Sequence, residues 1–90
     1  MAGDVATRFA GPVKRSITIA GNATSISLEP VFWKALEEES RARRLPLSAL
    51  VAAIEAARIA QHAPPNLASA LRCWLFETAT APDKDASVSQ

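Results

Sequence analysis

The chain carries one imidazole and one thiol, His62 and Cys73. A nucleophile and base drawn from that pair would still need an orienting carboxylate and an oxyanion hole, and no motif around either residue supplies one. A zinc site asks for about four ligands, which one Cys and one His do not provide. The run Glu37-Glu38-Glu39 offers carboxylates, but consecutive helical residues point in different directions and do not converge on one atom. No catalytic residue, no metal and no cofactor is therefore expected. Cys73 reads as a small buried hydrophobe, and Trp33 and Trp74 as anchors of a core or an interface.

Hydroxyls are the better-organised chemistry. The stretch R-S-I-T-I-A-G-N-A-T-S-I-S-L, Arg15 to Leu28, alternates apolar and polar residues on both sides of Gly21-Asn22 and predicts two strands folded into a hairpin there. In that register Ile17 faces Ile26 and Ile19 faces Thr24, while Ser16 and Thr18 meet Ser27 and Ser25. One face is apolar and the other is all hydroxyl. Two explanations stand for such a face: cross-strand hydroxyl pairing on a solvated surface, or contact with a hydrogen-bonding ligand.

Charge distribution bears on that choice. The 90 residues hold 10 basic and 9 acidic side chains, a balance that excludes both a histone-like polycation and an acidic tail protein. Yet Arg8, Lys14 and Arg15 lie in a segment, Val5 to Leu28, with no acid at all, which favours a role on phosphate. Arg41, Arg43 and Arg44 form a second basic knot, where cations also serve simply to offset the dipole of a helix C-terminus.

These residues must be positioned by the elements around them. Pro30 suits the first turn of a helix, which the apolar marks Phe32, Trp33, Ala35 and Leu36 extend to about Arg43. Leu45-Pro46-Leu47-Ser48 breaks that helix, and Ser48 is the expected cap of a second one running to about Gln61 through Leu50, Val51 and Ile54. Ala63-Pro64-Pro65 ends it. Asn66 caps a third helix, with Leu67, Ala70, Leu71, Trp74 and Leu75 on one face, to about Thr78. Residues 1–13 read as a flexible arm, 14–78 as one domain and 79–90 as a disordered polar tail. No apolar run approaches the roughly 20 residues needed to cross a bilayer. With one cysteine and no basic-then-apolar leader, a reducing, cytoplasmic setting is expected.

The order strand, helix, tight Leu-Pro-Leu-Ser link, helix resembles the ribbon-helix-helix superfamily of Arc and methionine-repressor-like proteins. The blocks T-S-I-S-L-E-P-V-F-W-K-A-L, R-L-P-L-S-A-L-V-A-A-I and N-L-A-S-A-L-R-C-W-L-F, preceded by K-R-S-I-T-I-A-G, resemble a small bacterial subgroup of ribbon-helix-helix domain proteins over about Lys14 to Glu77. The resemblance implies a mainly α fold with a short β element, here with an added N-terminal strand and a third C-terminal helix, built as an intertwined homodimer. It implies a double-stranded DNA partner and a role as a transcriptional repressor or antitoxin-like regulator. Carried over by position, Ser25 and Ser27 face the groove and Ser48 and Ala49 offer backbone N–H groups to a phosphate; Lys14 and Arg15, in their acid-free stretch, would neutralise phosphates beside them. Ile26, Leu28, Phe32, Trp33, Leu36, Leu50, Val51 and Ile54 would form the dimer interface, being more apolar groups than a hairpin and two short helices cover alone.

The added strand leaves one question open. Paired onto the ribbon in both chains it makes a sheet of four strands, whose axes span about 14 Å. A major groove about 12 Å wide does not admit that sheet broadside. Either the outer strands peel away, or the face serves another partner and the protein is a dimeric interaction module without DNA reading.

Overall fold

The computed structural model describes residues 10–81. Two strands, β1 (Val13–Ile19) and β2 (Asn22–Leu28), precede three helices, α1 (Pro30–Ala42), α2 (Leu47–Ile59) and α3 (Leu67–Thr80). The fold is mainly α with a short antiparallel hairpin, as the alternation and the helical spacing predict. Val13 begins β1 and does not end an arm, and α3 runs two residues past Thr78. Residues 1–9 of the expected arm, Arg8 among them, and 82–90 of the expected tail lie outside the described residues.

The hairpin turns one residue earlier than expected. Ala20 and Gly21 form the loop, with φ of 52° and 82°, the two positive values that a type I′ turn requires and whose twist suits the flanking strands. Every partner therefore shifts by two: Ile17 pairs with Thr24, Arg15 with Ile26, Ser16 with Ser25 and Lys14 with Ser27. A shift of two preserves the faces. Centring the turn on Gly21-Asn22 would set Val13 against Pro30, already the first helical residue, whereas the observed register pairs all seven residues of each strand, Val13 with Leu28 at the far end. Trp33 secures that end by donating its Nε1 proton to the Val13 carbonyl at 2.8 Å.

Each helix contributes one stripe to a single core beneath the hairpin. Ile17, Ile26 and Leu28 meet Trp33 and Leu36 of α1, Leu50, Val51 and Ile54 of α2, and Leu71 and Leu75 of α3. Leu28, Leu36, Val51 and Leu71 are wholly enclosed. The residues expected at a dimer interface are thus covered within the one chain, all but the partly buried Phe32. The reason is α3, a third helix that supplies the cover a hairpin and two short helices lack. Cys73, expected to be buried, is exposed on α3, two positions after the enclosed Leu71 and so on another side of the helix.

Helix ends follow local chemistry with one exception. Asn66 caps α3 by accepting from the Ser69 amide at 2.8 Å. Arg44, at φ 57°, takes the left-handed conformation that closes α1, and the Leu45 amide returns to the Ser40 carbonyl at 2.9 Å. The exception is Ser48. Pro46 occupies the cap position of α2 with no side-chain hydrogen bond, because its extended backbone already ends the link and places Leu47 in the first turn. Ser48 then lies inside the helix.

Candidate nucleic-acid interface

The hairpin separates two faces by the alternation of its strands. Lys14, Ser16 and Thr18 of β1 and Ala23, Ser25 and Ser27 of β2 point away from the helices; Ser27 is half-buried and the others are exposed. Ser16 stands opposite Ser25 and Lys14 opposite Ser27, so the outward face is a patch of four hydroxyls with one ammonium at the end where the chain enters α1. Among the described residues β2 pairs only with β1, leaving its other edge open.

Arg15 does not join Lys14 on that face. It sits half-buried on the inner side with its guanidinium 4.6 Å from the Trp33 ring centroid and its Nη1 3.0 Å from Glu37 Oε2. The alternation that separates adjacent residues of a strand could have signalled this split, and Glu37, half-buried on the facing helix, supplies the partner that makes it favourable. Trp33 and Arg15 together clamp β1 against α1.

The other expected phosphate site is the start of α2. The Ala49 amide already donates to the Pro46 carbonyl at 3.0 Å, so the amides pointing out of this helix end are those of Leu47 and Ser48. Ser48 is exposed and Ala49 half-buried. The basic knot lies just before it: Arg43 is held by Glu39 at 3.1 Å and lies 5.0 Å from the Trp74 ring centroid, while Arg41 and Arg44 are exposed. Arg41 also stands in the last turn of α1, where a cation offsets the helix dipole.

Two further ion pairs stand away from that face, one between α3 and the end of β2 and one within α2. Arg72 of α3 reaches Glu29, at the end of β2, at 3.0 Å. Glu29's own backbone amide, followed by Arg72, holds its carboxyl below the ordinary 4.5. Arg58 holds Glu55 at 2.6 Å, lowering the Glu55 carboxyl through that hydrogen bond, and donates to the Pro65 carbonyl at 2.9 Å. A groove of about 350 Å³ opens between α2 and α3 beside Arg58, Cys73 and Trp74. Phe76, 68% exposed, stands on the outer side of α3. The hydropathy stripe of α3 does not single out Phe76, which falls off the face that packs. His62 is exposed in the α2–α3 loop; among the described residues no three His, Cys, Asp or Glu side chains gather where a metal could bind them. No helix among the described residues is long and apolar enough to cross a membrane.

A family model described as a ribbon-helix-helix domain matches residues 12–79, which spans both strands and nearly all of α3. No curated protein matches the chain, and no solved structure matches it.

Proposed function

Because this chain belongs to the ribbon-helix-helix domain family, we propose that it is a homodimeric DNA-binding protein, a transcriptional repressor or antitoxin-like regulator, that meets duplex DNA with the outward face of its hairpin. The observation that carries this reading is an exposed patch of Lys14, Ser16, Thr18 and Ser25, with Ser27, on a hairpin whose β2 edge is open. Two copies joined along β2 place both patches on one continuous sheet of four strands, whose two central β2 strands correspond to the two-stranded ribbon that reads the major groove. The outward Leu47 and Ser48 amides, at the positive end of α2, suit a flanking phosphate.

Fluorescence anisotropy with labelled duplexes across a salt series tests it. Binding should weaken as salt rises, because neutralising phosphates releases counterions. A wild-type protein that binds no duplex at low salt overturns the reading. The exposed Phe76 favours a second one, a dimeric module that holds another protein on α3. An apolar contact of that kind would be far less sensitive to salt.

A further inference from the structure

We infer that β1 stays on the sheet when the protein meets DNA, so that its outward hydroxyls, Ser16 and Thr18, with Lys14, sit over the phosphates along the two rims of the major groove. This rests on the reading that the protein is a DNA-binding dimer joined along β2.

Three contacts hold β1 in place, each with a different element or chemistry. The Val13 carbonyl accepts from Trp33 Nε1 at 2.8 Å. Arg15 is stacked on the Trp33 ring and paired to Glu37. Ile17 is buried against the core, 8% exposed. Peeling β1 away would break all three together with its ladder to β2, and it would uncover the apolar side of the hairpin to water. Trp33 and Glu37 are α1 residues, so β1 is fastened to the helical body as well as to its sister strand.

A strand that cannot leave fixes the width of the docking face. The order across a dimer is β1, β2, then the second copy's β2 and β1, and the outer axes lie about 14 Å apart. The major groove is about 12 Å wide. The outer strands therefore rest near the phosphate walls, while Ser25 and Ser27 on the central strands lie over the groove itself. On β1 the outward positions carry two hydroxyl donors and one ammonium, which suit phosphate oxygens and carry no base information. The same geometry holds the central strands near the mouth of a groove about 8.5 Å deep, where short serine side chains contribute little base discrimination.

The experiment combines amide hydrogen exchange with anisotropy on two fixed duplexes of unrelated sequence. The β1 amides that donate to β2, those of Arg15, Ile17 and Ile19, should stay as protected in the complex as in the free protein. Ser16→Ala combined with Thr18→Ala should weaken binding to both duplexes alike, by tenfold or more, with the salt slope unchanged. Lys14→Ala should lower the slope of log affinity against log salt by about 0.9 for each phosphate no longer neutralised. Faster exchange of β1 in the complex overturns the inference, as does a double variant that binds like the wild type or loses affinity for one duplex only. If the wild type binds neither duplex, the DNA reading itself fails, and the inference falls with it.

Discussion

Lys14 and Arg15 are adjacent and alike in charge, yet they occupy opposite faces of β1. Arg15 is stacked on Trp33 and paired with Glu37. Both side chains of that ion pair are partly open to water, so its stabilising effect belongs to the modest range of exposed pairs. Arg15→Ala should cost about 1 kcal/mol of stability in urea unfolding, while Lys14→Ala should stay within about 0.5 kcal/mol. Equal losses for the two variants would show that Arg15 is not engaged in solution. Glu29 adds a pH signature. Its carboxyl is held below 4.5 by its own backbone amide and by Arg72, so the stability it adds is present above that value and fades as pH falls through the lowered folded value. Glu29→Gln should flatten the acid limb of the stability curve just below 4.5 and leave its neutral plateau in shape. An acid limb identical to the wild type's would show that Glu29 does not contribute to it.

At the scale of elements, the hairpin turn and the third helix decide most. Ala20 holds a φ of 52° without being glycine, which is strained for a side chain bearing Cβ. Asn tolerates that region and Asn-Gly is the favoured type I′ pair, so Ala20→Asn should stabilise by about 0.5–1 kcal/mol. Thermal melting checks it, since about 1 kcal/mol moves the midpoint by roughly 4–8 °C in a domain of this size. A lowered midpoint would contradict the turn. In α3, Leu71 is wholly enclosed and Leu75 nearly so, and the helix closes the core over β2. Leu71→Ala should cost about 2–5 kcal/mol by leaving a cavity there. A near-neutral result in denaturant unfolding would mean that α3 is an appendage, contrary to its packing. Its amphipathic stripe was legible from residues 67–75 because the 3.6 period and the Asn66 cap are local. The exposure of Cys73 follows from the same period and not from its residue type, since two positions from Leu71 is about 200° round the helix and off the stripe.

For the whole molecule, the question is what a second copy adds. Since one chain encloses its own core, dissociation should yield a folded monomer with cooperative melting, not an unfolded chain. Sedimentation on dilution, followed by circular dichroism, would show it. In a two-residue hairpin the pair flanking the turn exchanges hydrogen bonds and the next pair points outward, so Ser25 belongs to a pair whose backbone groups face the open edge of β2. Ser25→Pro removes a donor from that edge and should abolish dimerisation while the monomer keeps its helical content. A dimer that survives the substitution joins through another surface, and the exposed Phe76 is where to look.

The sequence by itself determined the order and type of every element, the two faces of the hairpin and the membership of α3 in the core. Each of these rests on periodicity, caps and prolines, whose effects act within a few residues. Tertiary structure alone decided the register of the hairpin, where Trp33 and the start of α1 choose between turns one residue apart that leave the faces unchanged. It also decided the fate of Arg15, which depends on Glu37, 22 residues away. The enclosure of residues expected at an interface was the third such decision, because covering an apolar group depends on everything that packs over it, and α3 packs on β2 and α1 only after the chain has folded back across both.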